Sequence, residues 1–125
     1  MNENDLSYII RGCIFNVYNN LGPGLLESAY HVALSHELLK KGLPFSSQVG
    51  VAMEYETIHL DIGYRIDLLV DNKVIIEIKS VETLLDVHHK QIITYLKLSG
   101  LKLGLLVNFN TDRISHAIFR KVNRL

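Results

Sequence analysis

The spacing of apolar positions changes several times along the chain, and each change marks an element. From Asp5 to Asn20 the apolar residues Leu6, Ile9, Ile10, Cys13, Ile14 and Val17 recur at helical spacing, which predicts a helix with one buried stripe. Gly22-Pro23-Gly24 stops it and starts another. The second helix runs from Leu25 to Lys41, ends at Gly42 with Pro44 beyond, and buries Leu26, Tyr30, Ala33, Leu34 and Leu38. The period then drops to two. Phe45 to Tyr55 reads as a first strand with Val49, Val51 and Met53 alternating, Ile58 to Val70 as a second bent at Gly63, and Lys73 to Ser80 as a third. Asp86 to Ser99 is a helix, with Asp86 as its N-cap and Gly100 closing it. Leu103 to Phe109 is a continuous apolar run between polar turns, as a buried central strand requires. Ile114 to Val122 is either a strand or a short helix. The order predicts a three-layer α/β domain with a mixed central sheet.

Composition narrows the setting. The chain has 125 residues, 48% apolar and 21% charged, which suits one globular domain spanning 1–125 with one core. No apolar run is long enough to span a bilayer, so no membrane is expected. Met1 to Asp5 lacks the basic and apolar segments of a secretory signal, and the lone Cys13 excludes an internal disulfide; both fit the cytoplasm. Cys13 sits on the apolar stripe of the first helix, as a small core residue would. The formal net charge of 0 argues against nucleic-acid binding by bulk electrostatics, though not against an enzyme that meets phosphate with a bound cation. The six histidines form no metal-ligand pair at useful spacing, so zinc is not expected.

Candidate chemistry concentrates between Gly63 and Ser80. Two apolar runs flank Asp71-Asn72-Lys73, and three charges are set into them: Asp67, Glu77 and Lys79. A two-residue loop would place Asp67 and Glu77 on opposite faces. A three-residue loop pairs Val70 with Val74 and sets Asp67 across from Glu77. In that register Arg65, Asp67, Leu69, Ile75, Glu77 and Lys79 share one face, and Ile66, Leu68, Val70, Val74, Ile76 and Ile78 make the other wholly apolar. Paired carboxylates repel unless a cation joins them. Hard oxygen ligands suit Mg²⁺ or Mn²⁺. Lys79 points the same way as Glu77 and would place the attacking water. An ion pair on a solvated sheet face is the structural alternative, but a Glu-x-Lys inside an otherwise apolar strand is expensive unless used.

Asp67 followed by Glu77-Ile78-Lys79 resembles the PD-(D/E)xK nuclease motif. Gly24-Leu-Leu-Glu27-Ser-Ala-Tyr30 resembles the pattern that names the GxxExxY proteins, a group within that superfamily. Gln48, Gly63-Tyr-Arg-Ile-Asp67, Gln91-Ile-Ile-Thr-Tyr95 and Leu103-Gly-Leu-Leu-Val-Asn-Phe109 are similar to the same group. One departure is Ile66, where the superfamily name has proline. The resemblance implies a restriction-endonuclease-like fold and a metal-dependent nuclease acting on nucleic acid, with DNA as the expected substrate. It implies Asp67 and Glu77 as ligands of Mg²⁺ or Mn²⁺, helped by the Ile78 carbonyl, and Lys79 as the residue that positions water. Glu27 would complete the acidic cluster, and Gln91 and Tyr95 would hold the substrate strand or the catalytic groups.

Each role has a plainer counterpart. Glu27 lies at a helix start, where a carboxylate suits the helix dipole equally well. Tyr30 reads as core with its hydroxyl on a polar partner. Arg65 meets phosphate or pairs with Asp67 or Glu77. On the helix from Asp86, one stripe carries His88, Gln91, Tyr95 and Leu98, and the other carries Ile92, Ile93, Leu96 and Ser99. The second is expected to pack on the sheet and the first to face the acidic cluster. The alternative to catalysis is a nuclease-fold module that only binds nucleic acid or a partner protein. With a neutral surface, a homodimer or partner would supply the missing substrate contacts.

Overall fold

The computed structural model describes residues 1–60 and 64–125; the bend expected at Gly63 falls outside them. Helix α1 (Glu3–Leu21) starts behind Asn2, whose side chain accepts the Asp5 N–H at 2.8 Å, and it buries Leu6, Ile10, Cys13, Ile14 and Val17. Helix α2 (Glu27–Lys40) starts two residues later than its pattern suggests. Leu26 is therefore the N-cap, in extended backbone, and its side chain leaves the helical stripe to stand 77% exposed, contrary to the expected burial. Tyr30, Leu34 and Leu38 are buried as expected.

The two long strands predicted before the hairpin each split. Strand β1 (Phe45–Gly50) is followed by β2 (Met53–Tyr55), and β3 (Ile58–Leu60) precedes β4 (Arg65–Val70). β1 pairs with β4, whose first residue Arg65 lies opposite Gly50, and the ladder ends there with one further bond from the Val51 N–H to the Tyr64 carbonyl at 2.9 Å. β2 and β3 pair with each other instead, as a separate hairpin. β5 (Val74–Lys79), α3 (Asp86–Ser99) and β6 (Leu103–Asn108) follow at nearly the predicted bounds. Leu85 rather than Asp86 caps α3, and its N–H donates to His88 Nδ1 at 3.0 Å. The uncertain end contains both alternatives: a 3₁₀ turn at Ile114–His116, then β7 (Ile118–Val122).

The main sheet has the order β1-β4-β5-β6-β7, parallel only between β5 and β6, which α3 connects. All six residues of β6 are buried, as a central strand demands. α1 and α2 cover one face over Leu68, Val70, Val74, Ile76, Ile78, Leu105 and Val107. α3 covers the other, where Ile92, Tyr95 and Leu96 pack on Ile66, Ile75 and Leu106. The result is a three-layer α/β fold with a mixed sheet, as the resemblance implies. Gly104 lets α3 sit close on β6: a Cβ there would lie 2.8 Å from Ile92 Cδ1. Among the described residues, no helix is long and apolar enough to cross a membrane.

Candidate active site

The site begins with the turn. Asp71 and Asn72 take left-handed backbone (φ 51° and 53°), and the Lys73 N–H donates to the Val70 carbonyl at 2.9 Å. The loop is thus three residues long, with Val70 opposite Val74, Leu69 opposite Ile75 and Leu68 opposite Ile76. One step further, Asp67 meets Glu77, and side chains replace the ladder. Asp67 Oδ2 accepts the Ile78 N–H at 2.7 Å, and Glu77 Oε1 accepts the Asp67 N–H at 3.3 Å. Glu77 is 4% exposed. Burial, then the charge of Asp67 and a hydrogen bond between the two carboxyl groups, push its pKa up to about 9; the Asp67 amide and Lys79 pull weakly the other way. Near neutral pH Glu77 therefore holds its proton.

The expected division of faces holds for Leu68, Val70, Val74, Ile76 and Ile78 but fails at Ile66, which packs on the α3 side with Ile75. Alternation breaks at Asp67. Its neighbour on β1 is Gln48, between the pairs Ser47–Leu68 and Val49–Ile66, and Gln48 has φ 54°. A left-handed residue interrupts the pleat, so the residues beyond it change face, and Val49 also packs on the α3 side. Asp67 consequently leaves the face on which it was expected beside Glu77 and Lys79 and opens into a cleft walled by Glu27, Ser28, His31 and Val32 of α2 with Gln48 and Ile78. Glu77 lies between Ile76 and Ile78 and projects toward α3, where Tyr95 feels its charge.

The segment Gly24 to Tyr30 ties α2 to the end of β5. Gly24 has φ 97°, which favours glycine. The Tyr30 hydroxyl donates to the Gly22 carbonyl at 2.6 Å and accepts the Leu25 N–H at 3.2 Å, while its ring stacks on Phe109 with centroids 4.3 Å apart. Tyr30 is thus core, as expected. The pinned loop accepts the Ser80 hydroxyl on the Leu25 carbonyl at 2.6 Å, and Glu27 Oε2 accepts the Ser80 N–H at 3.4 Å. Glu27 therefore reaches across to the strand carrying Lys79 and lines the Asp67 cleft. Lys79, half-buried, ends β5 beside Asn108 of β6.

Two residues escaped the sequence reading. His31 Nε2 lies 3.2 Å from the Asp67 carbonyl. It follows Glu27 by four residues, a spacing that puts both on one helix face and was available as a signal. Asn108, buried inside an apolar strand, receives the Val81 N–H on Oδ1 at 3.1 Å and donates Nδ2 to the Val81 carbonyl at 2.9 Å. It holds the chain just beyond Lys79; a lone amide within an apolar run was its signal.

On α3 the two stripes are not separate. Ile92 and Leu96 pack on the sheet as expected, but Tyr95 packs with them at 4% exposure, whereas Ser99 is exposed. The sheet-facing arc of the helix is wide enough to include Tyr95. Burial, with Glu77, Asp67 and Tyr64 adding to it, pushes the Tyr95 hydroxyl up to about 12, so it remains a donor. Gln91 is half-buried and shares a cavity wall with Tyr95. Arg65 is exposed beside Gly50 and forms no ion pair with Asp67 or Glu77.

Among the described residues, no three acidic, histidine or cysteine side chains converge as a ready metal cage. Two adjoining carboxyl groups do converge, and burial followed by the charge of Asp67 raises the pKa of Glu77. That donor set fits Mg²⁺ or Mn²⁺, which bind through one or two carboxylates and complete their shell with water and phosphate oxygens. No curated protein and no solved structure matches the chain. A family model matches residues 4–122, nearly the whole length including Glu27, Asp67, Glu77 and Lys79, and the chain belongs to the PD-(D/E)XK nuclease superfamily.

Proposed function

We propose that this protein is a metal-dependent nuclease that hydrolyses phosphodiester bonds of DNA. The observation carrying the reading is the Asp67–Glu77 contact: Glu77 accepts the Asp67 N–H and Asp67 accepts the Ile78 N–H, with Lys79 two residues beyond Glu77. Asp67 and Glu77 would hold Mg²⁺ or Mn²⁺, with the Ile78 carbonyl as a further oxygen ligand. The ion would supply a counter-charge to phosphate and a more acidic bound water. Lys79 orients the attacking water and offsets the charge that grows on the phosphate oxygens. Glu27, anchored on the Ser80 N–H, completes the acidic side of the cleft. Tyr95 donates its hydroxyl hydrogen from the α3 side, and Gln91 and Arg65 are the substrate-strand contacts.

A formal net charge of 0 favours a substrate surface completed by a second copy or a partner protein. The same observation supports the second reading, a nuclease-fold module that binds without cutting. One assay separates the two: cleavage of single- and double-stranded DNA and RNA with Mg²⁺, Mn²⁺ or chelator. Metal-dependent cleavage that drops by about 100-fold or more in Lys79→Ala is expected. Binding without cleavage under every metal condition selects the second reading.

A further inference from the structure

The acidic pair has a neighbour on the α3 side that the hydrolytic step does not use. A cavity of about 260 Å³ lies between α3 and the segments around Met53 and Tyr64, lined by Met53, Tyr64, Val87, Gln91, Tyr95 and Leu98. Its walls are mainly apolar, and much of that surface is open: Tyr64 is 42% exposed and Leu98 41%. The Tyr64 and Tyr95 rings stand 6.3 Å apart at 59°, so they do not stack on each other. They form two aromatic walls set at an angle. Tyr95 links the cavity to the site, since it packs in one cluster with Ile66, next to Asp67, and Ile75, two residues before Glu77 on β5. Polar groups are few: the Gln91 amide offers both donor and acceptor, and Lys90 adds a cation.

An apolar aromatic hollow does not suit a phosphate, which would lose its water for little return. It suits a flat ring with a polar edge. The faces of such a ring meet Tyr64, Met53 and Leu98, and its edge meets Gln91. We propose that this cavity receives an unpaired nucleobase of the strand whose phosphate lies at Asp67, Glu77 and Lys79, so that the substrate is single-stranded or unpaired at the point of cleavage. The inference rests on the nuclease reading for the position of that phosphate. A base inside a duplex is stacked and paired and enters only after being turned out of the helix, which selects against intact duplex.

The test is binding of the full chain, without divalent ions, to a strand carrying the fluorescent base 2-aminopurine. The comparison ligands are the same sequence as a duplex and an all-abasic strand with the same phosphates. Quenching of the probe is expected, with affinity for the single strand at least about 10-fold above both comparison ligands. Tyr64→Ala is expected to remove most of that preference while leaving abasic-strand affinity unchanged, and Tyr64→Phe to restore it. Leu98→Glu, at an exposed position, should act like Tyr64→Ala with the tyrosine in place. Equal affinity for duplex and single strand, or equal loss toward normal and abasic strands in a folded Tyr64→Ala, overturns the proposal. Cleavage is read separately. Lys79-dependent cutting of duplex and single strand at one rate removes the base cavity and leaves the nuclease. Tyr64-dependent single-strand binding without cutting under any metal condition removes the nuclease and leaves the cavity.

Discussion

Glu77 is the residue on which the chemistry and the stability meet. Its carboxyl titrates at about 9 in the fold against an ordinary 4.5, chiefly because burial disfavours the charge. A raised folded pKa means that its contribution is fully present below 4.5 and is lost as pH rises through about 9. Without divalent ions, thermal unfolding should therefore show stability falling across that window. Glu77→Gln should flatten the fall and be the more stable form at its alkaline end. If Glu77→Gln instead unfolds the protein at every pH, the residue is a structural ion-pair member rather than a metal ligand. The same proton should compete with metal. Affinity for Mn²⁺ is expected to rise about tenfold per pH unit below the folded pKa, with about one proton released on binding. Calorimetry in two buffers of different ionisation enthalpy measures that proton directly.

At the level of elements, two contacts hold the site in shape. α3 reaches β6 over Gly104, where a methyl group would meet Ile92 Cδ1 at 2.8 Å and Cγ1 at 3.0 Å. Ile92 is fully buried and stiff at χ1, so it yields poorly. Gly104→Ala should cost about 1–3 kcal/mol in chemical denaturation, and Ile92→Val should recover part of the loss. The second contact is the Tyr30 hydroxyl, which pins the α1–α2 loop that in turn holds Ser80. Tyr30→Phe keeps the stack on Phe109 but removes the partner of the Gly22 carbonyl and the Leu25 N–H. A loss of about 1–3 kcal/mol is expected, with faster hydrogen exchange at Leu25 and Ser80. A loss of stability without faster exchange at Ser80 would show that the loop does not position the end of β5.

Over the whole molecule, the topology places the acidic pair where β4 and β5 stop exchanging ladder hydrogen bonds, between the α2 cleft and α3. Both helical layers therefore reach one point, while the overall charge stays at 0. Among the described residues, Arg65, Lys79 and Lys90 are the cations placed on the proposed strand path. Three phosphate contacts predict a shallow salt dependence. The slope of log K against log salt for a single strand without divalent ions should be no steeper than about −2. A much steeper slope would mean that a basic surface elsewhere, or a second copy, carries the contact.

What the sequence determined by itself is what depends on neighbours along the chain. The buried stripe of α1, the bounds of α3 with Gly100 behind it and the fully buried β6 follow from periodicity and capping. The three-residue loop, and with it the register that sets Asp67 opposite Glu77, follows from the division of apolar and polar positions around the turn, which the structure keeps from Leu68 to Ile78 and breaks at Asp67 and Ile66. What only the tertiary structure decided depends on neighbours in space. The ladder of β1 with β4 ends at the pair Gly50–Arg65 with one last bond from the Val51 N–H to the Tyr64 carbonyl, and Met53 to Tyr55 pair with β3 instead. Ile66 changes face because Gln48, across from Asp67, takes left-handed backbone. Tyr95 joins the core because the sheet-facing arc of α3 is wide enough to take it in, and His31 reaches the Asp67 carbonyl because α2 walls the cleft into which Asp67 opens. None of these leaves a period in the sequence: each is set by which surface happens to stand opposite, and that is known only once the layers are packed.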